Sequence, residues 1–289
     1  MRGETKELND VTRKSANGSF VQLPDGVTHY ELGGSDLGKH IVLIHGFSVP
    51  YFIYDPTFNF LTQSGFRVLR YDLFGRGFSD RPRARYDLGF FEKQLSGLLD
   101  ALRISPRLSL IGLSMGGPIA SAFAVRYPER VDKLVLIDPI GAKPIAFSPT
   151  LKAAKISFVA EAILGLVGGD ALVKGVAGDF FDPALVNHFI EQYKVQMQYK
   201  GFLRAILSTI RNNMLGEFMN VYKGLGTMDK PILMFWGRND NTVPFDHSNI
   251  LRDALPNVEF HAIENCGHIP HYEKPEEVNP ILLEFLRKK

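Results

Sequence analysis

The stretch Leu108-Ser109-Leu110-Ile111-Gly112-Leu113-Ser114-Met115-Gly116-Gly117 decides the fold. A mostly apolar run, Leu108 to Ile111, enters a Gly-x-Ser-x-Gly turn, and a small-residue segment from Gly116 to Val125 leaves it. That order reads as strand, sharp turn and helix, with Ser114 at the apex. Such a turn holds its serine in a strained backbone conformation, and glycines on either side remove the Cβ atoms that would clash where strand and helix pass closely. The Ser114 hydroxyl is then exposed above the sheet as a candidate nucleophile.

A serine hydroxyl is a poor nucleophile without a base, and the base needs an orienting acid. Pro231 to Trp236 reads as a buried strand followed by Gly237-Arg238-Asn239-Asp240, and Val258 to Ile263 as another followed by Glu264-Asn265-Cys266-Gly267-His268. Asp240 and His268 therefore fall just past the carboxyl ends of strands, as Ser114 does. In open parallel sheets that edge binds ligands. Asp138, after the strand Lys133–Ile137, is the alternative acid, although Asp138-Pro139 is also a simple turn device. His271 competes with His268, but the glycine immediately before His268 favours the latter. Asp72 and Asp80 flank Phe74-Gly75-Arg76-Gly77, which lacks the Lys-Ser/Thr of a phosphate loop and reads as a turn held by a carboxylate–Arg76 pair.

Strands and helices alternate outward from the elbow. Strands are expected at 41–44, 67–71, 108–113, 133–137, 232–236 and 258–263, behind a hairpin over 19–23 and 27–32. Helices are expected at 86–102, 115–126, 245–254 and 275–287. Near-continuous apolar strands imply a mostly parallel, doubly wound α/β sheet covered on both faces. Residues 141–228 break the alternation and read as helices near 149–166, 169–177, 183–199, 201–213 and 215–224. Their aromatic and Met residues, Phe158, Phe180, Phe181, Phe189, Tyr193, Met197, Phe202, Met214, Phe218, Met219 and Tyr222, should mostly be buried, with a minority lining an apolar pocket.

The chain resembles the α/β-hydrolase superfamily in its serine-nucleophile branch. Four segments carry the resemblance: His45-Gly46-Phe47, Tyr71 to Ser79, Gly112 to Gly117, and Gly267-His268. It implies an α/β-hydrolase fold with Ser114, Asp240 and His268 as a triad in the order serine, acid, histidine. It also implies an oxyanion hole from the backbone N–H groups of Phe47 and Met115, and a helical cap at 141–228. The core would be 19–140 with 229–289, and 1–18 a solvated N-terminal arm. Serine at the elbow, where dehalogenases and epoxide hydrolases carry aspartate, points to a carboxylic ester hydrolase of the carboxylesterase or monoacylglycerol-lipase type. Carbon–carbon hydrolases of ring-cleavage products are the alternative. They often carry Asn before the serine and a Gly-rich stretch after the His-Gly turn, where this chain has Leu113 and Phe47-Ser48-Val49-Pro50. A perhydrolase-like activity, or a small-ligand receptor on a hydrolase fold, are further alternatives.

Composition bounds the partners. The 289 residues carry a net charge of +2 with mixed signs along the chain, which argues against a nucleic acid partner and leaves a small-molecule ester as the expected one. No Cys pair or His-x-x-x-His spacing calls for a metal, and the triad chemistry needs no cofactor. No apolar run reaches the roughly 20 residues of a membrane span. The polar N-terminus lacks the apolar core of a signal peptide, and the single Cys266 excludes an internal disulfide, so a cytoplasmic location is expected. Nothing in the sequence specifies an oligomeric state.

Overall fold

The computed structural model describes residues 3–14, 16–104, 107–145 and 159–288, with only the backbone described over 159–168. Eight strands form one sheet: β1 Ser19–Leu23, β2 Gly26–Gly34, β3 His40–Ile44, β4 Arg67–Tyr71, β5 Leu108–Leu113, β6 Val131–Ile137, β7 Ile232–Gly237 and β8 Glu259–Ile263. Their order is β1-β2-β4-β3-β5-β6-β7-β8. The β1–β2 and β2–β4 pairings are antiparallel and the others parallel. The mostly parallel, doubly wound sheet expected from the sequence is present. Its inner strands are buried end to end, as β5 and β7 show, because helices cover both faces.

From β3 the chain passes outward to β4, then returns to β5 on the other side of β3. The loops after β3 and β5 therefore diverge, and the crevice between them is the switch point where open α/β sheets take ligands. Helices α1 Asp55–Gln63, α2 Leu88–Ala101 and α3 Gly116–Arg126 lie in this half of the chain. Asp87 caps α2 by accepting from the Phe90 N–H.

Between β6 and β7 come α4 Val159–Gly178, α5 Val186–Met197, α6 Phe202–Arg211 and α7 Met219–Gly226. Expected helices at 149–166 and 169–177 correspond to one continuous helix from 159; residues 149–158, Phe158 among them, lie outside the described residues. Helix α7 begins four residues later than expected. Asn213 adopts a left-handed conformation (φ 63°), and the Phe218 N–H donates to Gly141 O, so 213–218 is a turn rather than helix. Helices α8 His247–Ala254 and α9 Pro275–Arg287 complete the fold.

These inserted helices are tied to the core. Gln196 donates to Ser48 O (2.7 Å) and accepts from the Gly77 N–H (2.8 Å). Arg76 bridges Phe47 O (2.8 Å) and Thr209 Oγ1 (2.9 Å), and Tyr222 Oη donates to Ile140 O (2.7 Å). Phe180, Phe189, Tyr193, Phe202, Met214 and Tyr222 are buried as expected, while Phe181 is exposed.

The N-terminal arm is not simply solvated. Glu4 accepts from the N–H groups of Gly201 and Leu203, Arg13 is buried against Asp80, and Asn17 O meets His29 Nε2. The expected carboxylate–Arg76 pair is also absent. Asp72 binds His29 Nδ1 (2.7 Å) and the N–H groups of Tyr51 and Phe78, whereas Arg76 donates to oxygens of Phe47, Phe74 and Thr209. Local sequence could not show that His29, far away in the chain, satisfies Asp72.

Candidate active site

Ser114 follows β5 with φ 53°, a conformation costly for any residue but glycine. The turn persists because its surroundings fix it. Ser114 N–H donates to Ile137 O (2.8 Å), and Ser114 O accepts from the Gly117 N–H (2.9 Å). A Cβ at Gly112 would stand 2.4 Å from Gly116 O, and one at Gly116 would stand 2.1 Å from Ile44 O. Both glycines are thus required by backbone passing backbone, as the motif implied. The N–H groups of Phe47 and Met115 make no hydrogen bond to another described residue.

Asp240 and His268 arrive from the ends of β7 and β8. His268 Nδ1 lies 2.7 Å from Asp240 Oδ2, and the other Asp240 oxygen accepts from the N–H groups of Thr242 (2.7 Å) and Val243 (2.8 Å). This anchoring aims the free carboxylate edge at the imidazole and leaves His268 Nε2 for other work. Burial alone would push His268 down, but the Asp240 charge and hydrogen bond, helped by Asp179, outweigh it and raise its pKa above the ordinary 6.5. Ser114 and His268 border the same cavity without a direct hydrogen bond between them. Such bonds are often loose in the free state and tighten when substrate is bound.

Asp138, the alternative acid, does not contact the imidazole by a hydrogen bond. Its backbone is left-handed (φ 42°), and its Oδ1 accepts from the Gly237 N–H (2.8 Å). Its Oδ2 is buried without a partner. Burial, then the neighbouring Asp240 carboxyl, drive its pKa well up. Ligand-type atoms of Asp138, Asp240 and His268 lie within 4.8 Å of one another, a spacing that would suit a metal ion. Both Asp240 oxygens, His268 Nδ1 and Asp138 Oδ1 are already engaged in hydrogen bonds. His271 is buried against the Tyr54 ring, and burial lowers its pKa to about 3, so it is a packed neutral residue.

The cavity holds about 230 Å³. Gly46, Phe47, Ser114 and His268 form its floor, with Leu172 and Val176 of α4 and Leu203, Ile206, Leu207 and Ile210 of α6 around it. Those four α6 residues recur at i, i+3, i+4 and i+7, one face of a helix. Among the described residues, the lining contributed by the inserted helices is aliphatic, not drawn from the aromatic and Met residues the sequence singled out. The helical period of 203–210 was the readable signal. Asp179 and Thr242, also in the wall, carried no signal of their own.

Comparison with known proteins agrees with this fold. Residues 41–281 match the model of the alpha/beta hydrolase family, and the chain belongs to that family. A 2-hydroxy-6-oxononadienedioate/2-hydroxy-6-oxononatrienedioate hydrolase from Paraburkholderia phymatum is 31% identical, with 94% of this chain and 96% of the relative aligned. The meta-cleavage product hydrolase of Pseudomonas fluorescens superposes with a TM-score of 0.77 at 25% identity, over 93% of this chain and 97% of that one. A membrane phospholipase A, described as a bacterial virulence factor, gives 0.74 at 26% identity, over 93% and 84%. Among the described residues no helix is long and apolar enough to cross a membrane.

Proposed function

We propose that this protein is a serine hydrolase that opens a carbonyl substrate bearing an apolar acyl group, through an acyl-enzyme intermediate. The observation that carries the reading is the strained Ser114 and the Asp240-bound His268 meeting at one aliphatic cavity. Ser114 Oγ attacks the carbonyl carbon and its proton passes to His268 Nε2. Asp240 keeps the proton on Nδ1 and stabilises the imidazolium, while the Phe47 and Met115 N–H groups receive the oxyanion. His268 gives the proton to the leaving group. A water molecule then attacks the acyl carbon, yields its proton to His268, and releases Ser114 and the carboxylic acid. Residues 141–228 serve as the cap over a core of 19–140 and 229–289, with 1–18 as an arm against them. No cofactor is needed, and the single Cys266, which has no partner for an internal disulfide, fits a reducing, cytoplasmic setting.

Two bond classes share these steps. The Paraburkholderia and Pseudomonas proteins are named for ring-cleavage products, and on similarity this backs carbon–carbon hydrolysis better than the ester hydrolysis favoured by the sequence. The cavity supports the ester. Its described walls are mostly apolar and include the acid Asp179, which suits a neutral acyl group. We take a neutral ester as the first reading on this ground, and carbon–carbon hydrolysis as the second. Rates on p-nitrophenyl butyrate, a monoacylglycerol and a ring-cleavage dienoate, compared between wild type and Ser114→Ala, test both. Serine-dependent turnover of the dienoate alone selects the second reading. A wild type inert to all three and unlabelled by a fluorophosphonate overturns the hydrolase reading and favours a ligand receptor.

A further inference from the structure

We propose that Asp179 is a specificity residue that excludes anionic substrates from the active cavity and selects neutral esters. The inference rests on the ester reading above and narrows it to a substrate class. Asp179 lies just past α4, in the cavity wall, and its backbone O accepts from the His268 N–H (2.7 Å). That contact fixes it beside the reacting centre. It also explains Gly267, where a Cβ would stand 2.2 Å from Asp179 O. The side chain is held as well: Oδ1 accepts from Thr242 Oγ1 (2.5 Å), while Oδ2 has no partner among the described residues. With Oδ1 fixed on Thr242, the carboxylate adds a negative charge to the wall of a mostly apolar chamber.

Two features make this charge effective. Burial, with the nearby Asp240 and Glu273 carboxylates, raises the Asp179 pKa to about 6 against the pull of His268 and the Thr242 hydrogen bond, so the group is ionised at pH 8. Among the described lining residues the other titratable group is His268, neutral while it acts as base. Charges in such a poorly screened space interact far more strongly than in water. A carboxylate on the substrate is disfavoured whether it sits on the acyl or the leaving side, and the carboxylate product is disfavoured too, which assists its release.

The test compares kcat/KM at pH 8 for p-nitrophenyl butyrate, its anionic counterpart mono-p-nitrophenyl succinate, and a ring-cleavage dienoate, in wild type, Asp179→Asn and Asp179→Glu. The expected wild-type preference for the neutral ester is on the order of 10- to 100-fold. Asp179→Asn, which preserves the Thr242 hydrogen bond, should narrow the ratio about 10-fold, mainly through KM of the anionic esters, and Asp179→Glu should keep it. Hexanoate and hexanol as inhibitors of the wild type give a second measurement that needs no variant, with hexanol the tighter. A wild type that cleaves both p-nitrophenyl esters equally, or an Asn variant with an unchanged ratio, overturns the role of Asp179 while leaving the serine hydrolase intact. Loss of all ester turnover in wild type removes both.

Discussion

Replacing Asp240 by Asn changes one atom of the carboxyl group and nothing in its volume, yet the surroundings decide which way the amide must face. Asp240 Oδ1 accepts two backbone N–H groups, from Thr242 and Val243, and Oδ2 accepts His268 Nδ1–H. If the Asn oxygen keeps the two backbone donors, its NH2 points at the imidazole. His268 must then accept at Nδ1 and carry its proton on Nε2, where it cannot take the serine proton. The flipped amide restores the tautomer but leaves two buried N–H groups facing a donor, at about 1–3 kcal/mol each. A bias of about 2–6 kcal/mol holds the unproductive tautomer, corresponding to roughly 30-fold to more than 10⁴-fold. Loss of the carboxylate charge also destabilises the imidazolium. The expected fall in kcat/KM is about 10³- to 10⁴-fold, near the roughly 10⁴ seen for the equivalent change in a protease triad. Initial rates on p-nitrophenyl butyrate measure it, with circular dichroism to confirm the fold. Activity within tenfold of wild type, with the loss appearing in Asp138→Asn instead, would refute the assignment and make Asp138 the acid.

Three more outcomes are expected. Ester hydrolysis should fall on acidification with a midpoint above 6.5, because His268 must be unprotonated to act and its pKa is raised; a midpoint below 6.5 in kcat/KM contradicts the Asp240 contact. Asp138 binds its proton more tightly when folded than unfolded, so its contribution to stability declines as pH rises above the ordinary carboxylate range; Asp138→Asn should therefore gain Tm relative to wild type between pH 5 and 8, and parallel Tm curves would show that Asp138 ionises normally. Gly116→Ala places a Cβ 2.1 Å from Ile44 O and 2.9 Å from His45 O, backbone on both counts, and should cost at least the roughly 1–3 kcal/mol of an over-packed core, read as a lower urea midpoint; an unchanged midpoint would mean the elbow has slack.

Much of the site was readable because its residues sit at strand ends. Gly112, Ser114 and Gly116 announce a turn whose geometry is local, and the apolar runs before Asp240 and His268 place those side chains at the same edge of a parallel sheet. The Asp240–His268 contact spans 28 positions, and the strand pattern brought both residues to that edge while leaving Asp138 as a second candidate acid. The inserted helices were less legible. Their boundaries depend on turns such as Asn213–Phe218, set by a hydrogen bond to Gly141, and their aromatic residues pack into the core while aliphatic α6 residues face the cavity.

By itself, the sequence determined the sheet, the elbow and the order of the candidate triad, since each follows from local periodicity and the steric needs of a few glycines. Only the tertiary structure decided which carboxylate meets His268 and which is buried beside it. It also decided that Asp72 answers to His29 rather than Arg76, and that Asp179 stands in the cavity wall. Those outcomes rest on burial and on charges brought together across long stretches of chain, and free energies of that kind exist only once the chain has closed around them.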